Sequence, residues 1–215
     1  MSTQTQTKPT RGAKRAAQTR AKLVRAAMEV MAEKGVDGAT INDITDAADV
    51  AVGSFYNHFG TRDAIIKAAA QTMIEDMGQA LDGLWDHVDD PVEVIATAMR
   101  IAFKRAMDDP AWGWFLLRTS ERGGLITRGL GARLTRDLKA AKLAGRVQPH
   151  NVDHIALALV GTFMAFLSAG LQKDLSHQGG EDMAQTILIL LGIPTLEAGE
   201  IAIRPIPTLE TLKNA

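Results

Sequence analysis

Between Thr40 and Arg62 the sequence gathers side chains suited to recognition rather than bond-making. Thr40, Ser54 and Tyr56 supply hydroxyls, Arg62 a guanidinium, His58 an imidazole and Asn57 a carboxamide. Hydroxyls, cations and the free amides of helix starts suit phosphate oxygens. A carboxamide can pair with the N6/N7 edge of adenine, and Val52 can touch a thymine methyl. Gly53 has no side chain and lets its backbone approach a partner closely. A second basic group, Arg11, Lys14 and Arg15, lies upstream. The chemistry is that of binding a polyanion that displays base edges, double-stranded DNA.

Other chemistries find no support. There are no cysteines, which excludes disulfides, thiolate metal sites and cysteine nucleophiles. No nucleophile motif, phosphate loop or paired-carboxylate arrangement stands out. Gly129-Leu130-Gly131 has no strand before it and is not a dinucleotide fingerprint. His150 and His154, with Asp153 between them, have the spacing of a metal pair, but a histidine pair at a helix start is more often solvated surface. No catalytic residue, metal or cofactor is therefore expected. The polar first residues lack a signal peptide's apolar segment, and no uninterrupted apolar run reads as membrane-spanning, so a cytoplasmic protein without a membrane partner is expected.

The formal net charge of −1 conceals an asymmetry. Lys8, Arg11, Lys14, Arg15, Arg20, Lys22 and Arg25 all precede the first acid, Glu29, whereas residues 63–109 are rich in acids. An anionic partner at the N-terminal end follows.

These residues need elements to position them, and the sequence reads as all-α. Residues 1–16 read as a disordered basic arm. A helix from about Gln18 carries Leu23, Val24, Ala27, Val30 and Met31 at helical spacing and stops at Gly35. Thr40 with Asp43 three residues on forms a capping-box start for a short helix. A turn at Asp49 requires positive φ, which Asp tolerates at a cost. A second short helix spans about 52–59, and Thr61 caps a long helix toward Trp85. Pro91 and Pro110 open further helices, and others are expected at about 125–144, 151–171 and 180–191. Pro194, Pro205 and Pro207 make residues 193–215 an extended tail. The expected domains are 17–62, a three-helix helix-turn-helix DNA-binding domain, and 63–192, a helical effector-binding and dimerisation domain.

Two short helices joined by a tight turn form a helix-turn-helix, whose second helix enters the major groove. At Thr40, Ile44, Ala47, Ala48, Val50, Gly53, Phe55, Tyr56, His58 and Phe59, then Arg62, Ile65 and Ile66, the chain resembles the tetracycline-repressor (TetR) family of bacterial regulators. The resemblance covers about residues 17–67 at motif level; beyond them only helix order and length agree. It departs at Asp49, where the family usually has glycine, and at Ala51, where it often has serine or threonine. The resemblance implies that Arg62 holds a phosphate, and it implies repression. The recognition helix contains no Arg or Lys, so the commonest guanine reader is absent from it. Weak direct readout is expected, supplemented by the arm entering a minor groove; a merely solubilising tail is the other reading of that arm.

The resemblance further implies an effector pocket between C-terminal helices. Trp85, Met99, Phe103, Trp114, Phe115 and Phe163 are the expected apolar lining, with Arg118 and Thr162 as polar anchors. Gly161, Ala165 and Ala169 give the penultimate helix a small-residue side that, with Ile187 and Leu191, reads as half of a four-helix dimer interface. The expected partners are a palindromic operator, a small, largely apolar effector and a second copy of the chain. Two rival readings stay open: a helical small-molecule carrier or enzyme with a vestigial DNA head, and a ligand-independent DNA-binding protein.

Overall fold

The computed structural model describes residues 10–120, 129–175 and 179–213, which hold helices and no strand. Contacts divide the chain into two compact units, residues 1–69 and 70–215.

The first unit comprises α1 (Arg11–Gly38), α2 (Ile41–Ala47), α3 (Val52–His58) and the start of α4 (Arg62–Asp82). Helix α1 is capped by Thr10, whose side chain accepts from the Ala13 amide. The expected disordered arm is thus helical from residue 11, while residues 1–9 lie outside the described residues. Ala, Arg, Lys and Gln are strong helix formers, so this stretch needs no apolar face to join α1. The helix breaks at Gly35, whose φ of 76° is open to glycine without strain. Leu23, Ala27, Ile44, Phe55 and Ile65 are fully buried and form the core. Thr40 and Asp43 form the expected reciprocal capping box, and Asp49 takes the expected positive φ, 51°.

In the second unit α5 (Pro91–Asp108) is the axis. It packs against α6 (Pro110–Ser120), α7 (Leu130–Leu143), α8 (Val152–Leu171) and α9 (Gly179–Leu190). Pro91 stands in the first turn of α5 behind the Asp90 cap, and Asn151 caps α8 by accepting from the Asp153 and His154 amides.

The tail is not extended throughout. It forms α10 (Thr195–Ala202) and α11 (Leu209–Lys213). Proline cannot continue a helix from inside but is tolerated at its start. Pro194 occupies the cap of α10, and its carbonyl accepts from the Ala198 amide at 2.8 Å. Pro205 and Pro207 fall in the non-helical link between α10 and α11. The tail is held down at several points. Buried Arg100 donates to the Arg204 carbonyl at 2.6 Å and to Glu181 at 3.2 Å. Arg146 bridges Asp90 and Glu197. Leu212 is 4% exposed, in a cluster with Leu84, Val94 and Ile101.

The expectation that no apolar stretch reaches membrane-spanning length also needs correction. Helix α8 is long and apolar enough to cross a bilayer by length and composition. Here it packs beside α5, α6, α7 and α9, with only 22% of that stretch buried.

Candidate DNA-reading face and ligand cavity

Helix α3 exposes Val52, Gly53, Tyr56 and Asn57, while Phe55 is wholly buried and Phe59 nearly so. Residues i, i+1, i+4 and i+5 share one helix face, so the buried aromatics set which side chains turn outward. Phe55 meets the Tyr56 ring edge-on at 5.4 Å. Ser54 and His58 are half-buried at the margins of this face. A Cβ built on Gly53 meets nothing within 4 Å. The unit's own packing therefore gives no reason for glycine at this helical position, where it costs about 0.5–1 kcal/mol relative to alanine. Ala51 supplies no side-chain cap to α3, so its first amides keep their hydrogen-bonding capacity.

Two expected phosphate ligands are engaged inside the unit. The Thr40 hydroxyl accepts from the Asp43 amide at 3.1 Å and donates to the Asp43 carboxylate at 2.7 Å. Lys34 holds the other Asp43 oxygen at 2.6 Å. Lys34 foremost, with Thr40, lowers the Asp43 pKa to about 2. The Arg62 guanidinium donates to the Ala39 carbonyl at 2.7 Å and to the Val36 carbonyl. Arg62 thus braces the turn before α2 against the start of α4. Arg11, Lys14 and Arg15 are exposed on the first turns of α1.

The second unit holds a cavity of about 80 Å³ between the end of α4 and helices α5, α7 and α8. One water needs about 10–15 Å³ on the same measure, so the space exceeds a single solvent molecule. Leu81, Ile95, Met99, Leu134, Phe163 and Met164 supply apolar wall. Arg133, Arg136 and Asp137 form its polar side. They belong to one chain of ion pairs. Arg133 grips Glu75 at 3.0 Å and Asp82 at 3.0 Å, Arg136 binds Asp82 at 2.6 Å and Asp137 at 2.8 Å, and the Trp85 indole donates to Asp137 at 3.2 Å. Burial raises the Asp137 pKa despite Arg136. Burial also pushes Asp82 upward, but Arg136 and Arg133 bring it below its ordinary value. Among the described residues both donors to Asp137 reach Oδ1. A Cβ on Gly78 would stand 2.4 Å from Arg133 Nη1, so glycine lets that guanidinium lie across α4.

Of the expected ligand-binding residues, Met99 and Phe163 line this cavity, and Trp85 reaches it through Asp137. Phe103 lies instead against Gly170 and Gly180. Phe115 is buried, the Arg118 guanidinium lies 5.6 Å from the Trp114 ring, and the Thr162 hydroxyl donates to the Ala158 carbonyl. Sequence reading passed over Arg133, Arg136 and Asp137. Their i, i+3, i+4 spacing on one helix face was the available signal.

The expected dimer residues divide. Gly161 and Ala165 are exposed and Ala169 half-buried, whereas Ile187 and Leu191 point into the unit's own core. Leu157, Ile189 and Leu190 are 63%, 44% and 49% exposed on the same two helices, α8 and α9.

Two family models match the sequence: bacterial regulatory proteins of the tetR family over residues 23–69, and the tetracyclin repressor-like C-terminal domain over residues 90–204. The chain is 43% identical over 53 residues to the HTH-type transcriptional regulator YvdT of Bacillus subtilis, and 37% identical over 59 residues to the HTH-type transcriptional repressor DhaR of a Mycobacterium species. These matches span 25% and 27% of this chain but only 27% and 30% of those two proteins. A solved structure is similar over nearly the whole length. RolR in complex with resorcinol is 33% identical, with a TM-score of 0.81, over 92% of this chain and 99% of its own.

Proposed function

The chain belongs to the TetR family of DNA-binding transcriptional regulators, and on that premise we propose that it is a cytoplasmic homodimeric repressor released from a palindromic operator by a small hydroxylated aromatic effector. The observation that carries this reading is the polar side of the cavity. Two arginines there face three carboxylates, Glu75, Asp82 and Asp137, so no net positive charge awaits an anionic ligand. Asp137 is a buried acceptor beside apolar walls. A neutral ring bearing hydroxyls satisfies both, its rim donating to Asp137 and its faces meeting Met99 and Phe163. Resorcinol, the ligand in the RolR complex, has this chemistry.

Helix α4 carries the signal in this reading. Asp82, held by both cavity arginines, ends the helix that begins at Arg62, the brace on the turn before α2. A ligand that rearranges the arginines moves α4, and only its different affinity for the two α4 positions can drive release. Leu157, Gly161 and Ala165 with Leu190 form the dimer contact, because an unpaired helix-turn-helix reads few bases and this apolar face is left uncovered among the described residues.

The test is a mobility shift on duplexes selected from a random pool, repeated with resorcinol and related phenols. Binding to a palindrome, and its loss with a phenol, is the expected result. No binding to any duplex at low salt sinks the reader. Binding that is indifferent to every phenol sinks the effector. Leu157→Glu, examined by analytical ultracentrifugation, should give monomers; an unchanged dimer removes that face from the interface.

A further inference from the structure

From Arg11 to Lys22 no residue of α1 is buried; the first is Leu23. Twelve residues of helix, about 18 Å long, thus stand without an apolar face. Such a stretch gains little from packing, and its turns before Thr19 are wholly exposed. Its charges also oppose it. Arg11, Lys14 and Arg15, then Lys22 and Arg25, are like charges three or four residues apart, and no acid appears before Glu29. Among the described residues none of these five cations forms an ion pair.

Their arrangement is directional. At about 100° per residue, Arg11, Lys14, Arg15, Gln18, Lys22 and Arg25 fall within a sector about 100° wide. Arg20 lies on the opposite side and packs over the Phe59 ring at 5.0 Å. That contact ties the third turn of α1 to the end of α3, and the turns before Arg20 run on for about 13 Å. A helix is about 10–12 Å across and the minor groove about 6 Å wide, so these residues cannot act as an arm threaded into that groove.

We infer that the N-terminal turns of α1 form a helical clamp on the phosphates flanking the bases read by α3. Arg11, Lys14 and Arg15 are the contacting cations, and the uncompensated repulsion among them is relieved by the polyanion. The clamp acts on any sequence, which suits a reading helix that has no Arg or Lys of its own. It rests on the proposal that α3 reads DNA.

The experiment measures affinity for the selected operator from 50 to 200 mM salt by fluorescence anisotropy. The wild type is compared with Arg11→Gln/Lys14→Gln/Arg15→Gln, which keeps helix propensity, and with Ala16→Pro, which breaks the extension but keeps its charges. If all three cations meet phosphate, the slope of log K against log salt should become shallower by about 2.7 per protomer in the glutamine variant, at about 0.9 per phosphate. Ala16→Pro should lose most of the same slope. An unchanged slope in the glutamine variant, with binding intact, overturns the clamp and leaves the reader standing. A lost slope in the glutamine variant but not in Ala16→Pro overturns the helical form, the cations then acting as a flexible arm. Failure of the wild type to bind any duplex at 50 mM salt overturns the reader and the clamp together.

Discussion

Gly53→Ala separates what α3 needs for itself from what its partner needs. The added methyl meets nothing within 4 Å and the residue is helical, so the substitution realises the full difference in helix propensity. That difference is about 0.8–1.0 kcal/mol in favour of alanine, a fourfold to fivefold gain in the folding equilibrium. In the complex the sign reverses. If the α3 backbone lies against the groove wall, a methyl forced into that contact costs about 1–3 kcal/mol, or roughly 5- to 150-fold in affinity. The chain offers a clean probe for the first effect. Tyr56 is its only tyrosine and lies on α3 itself, so 3-fluorotyrosine gives one ¹⁹F signal from the reading unit during urea unfolding. The urea midpoint should rise while operator affinity falls. A raised midpoint with unchanged affinity refutes close backbone approach at Gly53. A lowered midpoint refutes the helical, uncrowded setting of the residue.

Thr40→Ala should lower the stability of the reading unit by about 1 kcal/mol, the usual worth of such a cap, seen at the same ¹⁹F signal. Asp43 is depressed to about 2 from an ordinary value of 3.8, so its stabilising effect is complete above pH 4 and fades as pH falls toward 2; hydrogen exchange of the α2 amides should follow that course. Asp137 behaves in the opposite sense. Its pKa is raised, so the penalty for burying its charge disappears on acidification and grows as pH rises through the folded value. Asp137→Asn should therefore leave thermal stability equal or higher at pH 7 while abolishing resorcinol binding in calorimetry. Gly78→Ala should drive Arg133 off α4, weakening the phenol response in a mobility shift with little loss of melting temperature. Arg100→Ala removes the bonds to the Arg204 carbonyl and Glu181 and should destabilise the second unit by about 2–3 kcal/mol in tryptophan-monitored urea unfolding.

Local chemistry was the legible part of the sequence. The Thr40–Asp43 box, the positive φ at Asp49 and the first-turn proline of α5 involve neighbours a few residues apart, and each appears where spacing places it. Two local expectations fail, the arm's because it rested on the lack of an apolar face and the tail's because it rested on the prolines. The stretch from Arg11 is helical by propensity alone, and α10 begins at the proline thought to exclude it. The polar wall of the cavity was hidden for a different reason. Arg133 finds Glu75 at a separation of 58 residues and Asp137 finds Trp85 at 52, and a periodic pattern carries no information about partners so distant. The same holds for Ile187 and Leu191. Their apolar character is plain, but whether such residues face the chain's own core or an uncovered side depends on how α8 and α9 pack.

The docking of Arg100 on the Arg204 carbonyl also sets a timetable. The two are 104 residues apart, and Leu84 waits still longer for Leu212. A growing polypeptide adds about 5–20 residues each second, so some 5–20 s separate the arrival of Arg100 from that of its acceptor. The core of residues 10–69, built from Leu23, Ile44, Phe55 and Ile65, is complete in sequence well before then. The parts of the N-terminal unit are therefore all made before the tail can dock, and late in that interval a nascent chain carries every cavity-lining residue, 81–164, without the Arg204 carbonyl and Leu212 that hold the tail down.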